Sequence, residues 1–197
     1  MEKNVLGLAM ATDPRWVNIA EKSLHEILTD HAYCEQKAAS SCISLIIQYP
    51  DKELLVSVLT PVVAEEWAHF EGVLRKLSER GWSLGFPRKD EYVDKVYALL
   101  RKGGSRDQQL MERLLLNALI EARSCERFRL LWKEIGDKDL AMFYYELMVS
   151  EAGHYKNFLK LAREYQPRDL VDRRWDEILR GEAAIMEQLA ARPDRMH

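Results

Sequence analysis

The chain has little with which to build a disulfide scaffold, a membrane span or a sheet. Its 197 residues include three cysteines, Cys34, Cys42 and Cys125, and no Cys-x-x-Cys pair. That excludes a disulfide framework and leads us to expect reduced thiols in a cytosol. No stretch approaches the roughly 20 apolar residues of a membrane helix, and MEKNVLGLAM lacks the apolar core of a secretion signal. A cytoplasmic protein without membrane attachment is expected. Net charge is −3, too small to demand a polyanionic partner, so any case for nucleic acid rests on local clusters. Strand-like alternation and low-complexity linkers are absent, which predicts one domain over residues 1–197. Only five histidines are present, yet two of them stand three residues behind a glutamate.

What the chain does have is helical periodicity between regular breaks. Asp13-Pro14 pairs a capping residue with a proline suited to a first helical turn. Leu24, Leu28, Glu35, Ala38, Cys42 and Leu45 mark one face of a long helix ending near Pro50. Asp51 is the expected cap of a second helix, which carries Glu66 and His69 on its apolar side and stops at Gly81; Pro61 predicts a kink in it. Residues 82–90 read as a loop and residues 91–101 as a short helix. Ser105 with Gln108 is a capping-box pattern that opens a third long helix to Ile135. Gly136-Asp137 ends that helix and caps a fourth over 138–164, and Pro167 starts a last, charge-rich one.

Glu66 and His69 in AEEWAHFE share a helix face, as do Glu151 and His154 in SEAGHY, because residues three apart differ by only about 60° in direction. One such pair is common on helix surfaces. The register of the turns makes two of them informative. In an antiparallel hairpin, residues equidistant from the turn lie level. The midpoint of Glu35 and Glu66 falls between Pro50 and Asp51, and that of Glu121 and Glu151 falls on Gly136. Each hairpin therefore sets a lone glutamate level with a Glu-x-x-His pair, ~22 Å from its loop. Two such hairpins predict an all-α, ferritin-like four-helix bundle with additional peripheral helices and a di-iron or di-manganese site. Four carboxylates and two imidazoles facing a core are costly unless divalent cations compensate them.

Other candidates sort by angle. Glu126 lies about 140° from Glu121 and shares its face with Arg129 and Lys133, which reads as a solvated stripe. Glu65 is four residues before His69, but Ser150 holds the matching place in the second motif, which favours Glu66. His31, one turn before Glu35, reads first as a satisfied buried histidine, with support of a ligand or rival ligation as alternatives. The five tryptophans read as packing residues.

The segments HAYCEQKAASSCISLIIQYPD, EEWAHFEGVLRKLSERG, LLLNALIEARSCERF and MVSEAGHYKNFLKLA together resemble the tRNA hydroxylases of the MiaE type. The likeness runs through nearly the whole chain. It implies a non-haem di-iron monooxygenase acting on 2-methylthio-N6-isopentenyladenosine beside the anticodon. Such an enzyme takes O2 and two electrons from an external reductase and hydroxylates a terminal methyl of the isopentenyl group. None of the six positions Glu35, Glu66, His69, Glu121, Glu151 and His154 departs from the expected ligands of two iron ions. A ferritin-like iron-oxidising or storage protein is the alternative: it shares the ligands and needs no RNA. A rubrerythrin-like peroxidase is disfavoured because its four-cysteine iron domain is missing.

Expected RNA contacts are Arg88, Lys89, Arg101, Lys102 and Arg106, which with Lys95 crowd the segment between the hairpins. Arg163, Arg168, Arg173 and Arg174 form a second cluster. Either could hold phosphates around a splayed-out base, and either reads equally well as an ordinary solvated face. Phe86, beside Arg88, is a candidate for stacking on a base.

Overall fold

The computed structural model describes residues 5–189, which form helices and connecting loops with no strand among the described residues. The helices are α1 (Trp16–Lys22), α2 (Leu24–Gln48), α3 (Glu53–Glu79), α4 (Glu91–Tyr97), α5 (Arg106–Glu134), α6 (Lys138–Tyr165) and α7 (Arg168–Leu189), preceded by a 3-10 turn, Val5–Gly7. Two compact units are present: Ala20–Lys89, and residues 5–19 with 90–189. In the first, α2 packs along α3. In the second, α5 packs along α6 and is further covered by α7 and the 3-10 turn, while α4 lies on α7. No helix among the described residues is long and apolar enough to cross a membrane.

The caps of the second unit follow the sequence. The Ser105 hydroxyl accepts from the Gln108 amide at 3.2 Å while Gln108 Oε1 accepts from the Ser105 amide at 2.8 Å. Asp137 accepts from the amides of Asp139 and Leu140 at 3.0 and 3.1 Å. Each such cap contributes about 1 kcal/mol.

The first unit departs from expectation in detail. Helix α3 begins one residue later than expected. The Lys52 amide bonds back to the Tyr49 carbonyl at 3.1 Å, so Asp51 sits inside a tight turn and Lys52 takes the cap position without a side-chain bond. Pro61 lies inside α3, as expected. The chain leaves helical geometry at Ser23 (φ −124°, ψ 39°), which separates α1 from α2. Gly81, at φ +72°, stops α3 as predicted. Its amide bonds to Ser78 and that of Trp82 to Leu77, at 2.9 and 3.0 Å, satisfying carbonyls that the helix end would otherwise strand. In the second unit α4 ends at Tyr97, short of residue 101, because the amides of Ala98, Leu99 and Leu100 bond three residues back and tighten the chain into a turn.

The loop 82–89 has no regular structure but is fastened to α2. His25 Nε2 lies 2.9 Å from the Ser83 carbonyl, the Tyr33 hydroxyl donates to the Gly85 carbonyl at 3.0 Å, and Arg88 grips Asp30 through two bonds of 3.1 and 2.6 Å.

Candidate metal centre

Each hairpin assembles three of the six predicted ligands. In α2–α3, His69 Nδ1 stands 3.6 Å from a Glu35 oxygen and 3.7 Å from a Glu66 oxygen. One ligand atom from each of the three lies within 4.8 Å of the others. Both glutamates are buried, and the imidazole of His69 is nearly so. His31 is buried too, with Nε2 2.6 Å from Glu35 Oε1. Its partner is one of the candidate ligands, which matches the alternative sequence reading of His31 as the support of a ligand.

In α5–α6, His154 Nδ1 stands 3.1 Å from a Glu151 oxygen. Glu121 brings an oxygen within 4.8 Å of both. All three are buried. Cys125 is a neutral neighbour: its thiol donates to the Met148 carbonyl at 3.4 Å, and burial, then the Glu151 charge, push it up to about 12.

Glu126 corrects the sequence reading. It turns away from Glu121, as the helical angle requires, yet it is buried rather than solvated. Its carboxylate accepts from the Thr12 amide and hydroxyl at 2.8 and 2.6 Å and from Arg123 at 2.9 Å. Arg123, itself buried, also holds Glu182 at 2.6 and 2.9 Å, and Glu182 accepts from the Tyr92 hydroxyl at 3.2 Å. Burial works against both charges of the Arg123–Glu182 pair and pushes the Glu182 carboxyl up. Glu182, Tyr92 and Glu126 overcome that penalty at the guanidinium, which stays charged.

Several expected RNA contacts are engaged within the protein. Arg88 is held by Asp30, and Arg101 bonds Glu177 at 2.7 Å. Lys89, Lys102 and Arg106 are exposed. Arg174 is no surface cation: it is buried and bonds Glu112 at 2.7 and 2.8 Å and the Leu99 carbonyl at 2.6 Å. Arg173 pairs with Asp169 at 2.9 Å, and Arg163 with Asp172 at 2.7 Å. Phe86 is 92% exposed, and Trp67, expected as packing, is 46% exposed against Phe70. The sequence reading passed over Lys156 and Lys160, although Lys156, Lys160 and Arg163, spaced by four and then three residues, form a readable stripe.

Buried glutamates and histidines, three from each of two helical hairpins, define a carboxylate-rich protein of the ferritin-like class. The family model described as tRNA-(MS[2]IO[6]A)-hydroxylase (MiaE) matches residues 2–197, and the chain belongs to that family of enzymes. Among its relatives is the tRNA 2-(methylsulfanyl)-N(6)-isopentenyladenosine(37) hydroxylase of Pseudomonas putida KT2440, 37% identical over 158 residues, covering 80% of this chain and 76% of that protein. The protein of the same description from Salmonella typhimurium LT2 is 27% identical over 233 aligned positions, covering 93% and 83%. A solved structure, Protein 43 with aldehyde deformylating oxygenase activity from Synechococcus, matches with TM-score 0.90 at 34% identity, covering 96% of this chain and 94% of that one. The fold is therefore all-α and ferritin-like, as the ligand spacing predicted.

Proposed function

We propose that Glu35, Glu66, His69, Glu121, Glu151 and His154 together hold two iron ions. At that centre the chain hydroxylates the isopentenyl side chain of 2-methylthio-N6-isopentenyladenosine at position 37 of tRNA. The observation that carries the reading is the family match over residues 2–197, joined to a matching triad of donors in each hairpin, all buried but the half-buried His69. The donor set fits the metal. Carboxylate oxygen with imidazole nitrogen suits iron, and each buried triad places two glutamates close together, a like-charge arrangement that a divalent cation relieves. Bound there, iron supplies O2 activation and an oxidant strong enough for an unactivated methyl, which side chains cannot provide.

The rest belongs to the protein. Glu66 and His69 sit one turn apart on α3, as Glu151 and His154 do on α6, so each pair is positioned by rigid helix rather than by loop. His31 fixes the direction in which Glu35 presents its carboxylate. In the overall reaction one oxygen atom enters a C–H bond and the other leaves as water. Two electrons from a reductase and two protons complete the balance. The reaction would run in the cytoplasm, where tRNA is found.

An iron-storage protein would share the ligands but not the family match. The test is direct: reduced protein, O2 and tRNA carrying the prenylated nucleoside are combined, and the digested nucleosides are weighed. A gain of one oxygen on that nucleoside is expected. An unchanged nucleoside in the presence of a competent reductant overturns the proposal.

A further inference from the structure

Helix α6 has two working faces. Glu151 and His154 point to one side. Met142, Tyr145, Val149, Gly153, Lys156 and Lys160 all fall on the other and are exposed. Arg163 follows nine residues after His154, half a revolution out of phase. At the C-terminal end this outer face borders an open groove of about 510 Å³, to which the start of α7 contributes Arg168. Lys156, Lys160, Arg163 and Arg168 line it, and Glu164 is the one acid among its lining residues. Tyr155 and Leu159 complete the wall.

The cations divide into two kinds. Arg163 and Arg168 share Asp172, at 2.7 and 3.6 Å, so they are held in place and their charges are half-compensated. Lys156 and Lys160 have no carboxylate partner among the described residues. The concavity thus keeps a net positive charge that the described residues do not neutralise. Arg88 and Arg101, the more obvious cations by sequence, are by contrast engaged with Asp30 and Glu177.

Resting on the tRNA reading above, we propose that this groove binds the sugar-phosphate backbone of the substrate's anticodon stem. Lys156 to Arg163 spans ~10 Å of helix, close to the axial length of three phosphates on one strand of a duplex. The face opposite the ligands is at least a helix diameter, ~10 Å, from the reacting side of α6, which suits the stem rather than the reacting nucleotide. An acidic protein, such as an electron donor, is the competing occupant. The lining argues against it, because protein interfaces are built around apolar cores from which lysine is depleted, whereas backbone phosphates are held by just such point charges.

The experiment uses the full iron-loaded chain with Lys156→Glu/Lys160→Glu, and Lys156→Ala/Lys160→Ala as the milder pair. The probe is a synthetic anticodon stem-loop RNA without the prenyl group, so that backbone contacts alone are measured. The alanine pair should weaken binding about tenfold and flatten the slope of log affinity against log salt by about 1.5; the glutamate pair should do more. Iron content and helicity should match wild type, since the ligands face the other way. Wild-type affinity and salt slope in both pairs overturn the inference, as does unchanged RNA binding with slowed reduction by the donor protein. These failures are separable from failure of the tRNA reading, which is judged by whether the wild-type chain hydroxylates tRNA at all.

Discussion

The two hairpins carry the same ligand pattern but support it differently. Helices α2 and α3 bury nine and seven residues, a single stripe each, whereas α5 buries 18 of its 29, charges included. Around α5 two charges are matched from outside its own hairpin, Glu112 by Arg174 and Arg123 by Glu182, while Glu126 pairs with Arg123 and accepts from Thr12. In the α2–α3 triad His31 bonds Glu35 at 2.6 Å, and His69 stands 3.6–3.7 Å from its two glutamates where His154 approaches Glu151 to 3.1 Å. Equal ligands are therefore not equal sites. The α5–α6 half should be the stiffer, and the α2–α3 half the first to lose its metal.

The comparison breaks most visibly in activity. Glu121→Ala removes a buried carboxylate from the α5–α6 half and should abolish hydroxylation while the helicity by circular dichroism is retained. Hydroxylation at the wild-type rate would remove Glu121 from the site. Next comes stability. Arg123→Ala leaves Glu182 and Glu126 buried without their cation, and breaking a buried pair from one side costs about 3–5 kcal/mol. Urea denaturation measures it, and a loss below about 1 kcal/mol would mean that the network does not brace α5.

A finer test touches the weaker half. His31→Ala should lower iron affinity by about 10–100-fold at one of the two metal positions, and His31→Gln, which can still donate to Glu35, should recover part of it. Equal weakening at both positions in an iron titration would contradict the asymmetry. The smallest effect concerns Gly153, a glycine inside α6 with nothing within 4 Å of where a Cβ would stand. Gly153→Ala should raise stability by about 0.5–1 kcal/mol, seen as a higher denaturation midpoint; a loss would place an unseen neighbour against that face.

The grouping of Glu35, Glu66 and His69, and of Glu121, Glu151 and His154, was legible because each depends on local geometry: i to i+3 spacing on a helix, and equal distances from a turn marked by Pro50 or Gly136. The Ser105–Gln108 box was legible for the same reason. Glu126 and Arg174 were misread because their burial is decided by Thr12 and Glu112, 114 and 62 residues away in sequence. Helical period reports which way a side chain points, not what another segment later lays over it. The cap position of α3 falls on Lys52, one residue beyond Asp51, because the backbone bond between Lys52 and Tyr49 tightens the turn in a way that residue type does not reveal.

The fastening of loop 82–89 onto α2 has a thermodynamic consequence. Fixing the backbone of a loose loop costs about 1–2 kcal/mol per residue, and a loop ordered only by its ligand draws that cost from the affinity. Here His25, Thr29, Asp30 and Tyr33 have already done the ordering, and even the space at Gly85 is shaped to them: a Cβ there would meet Thr29 at 3.2 Å. Phe86, at the outer edge of this loop, is consequently preorganised. Whatever flat or apolar group meets its ring spends its contact energy on holding on rather than on folding the loop.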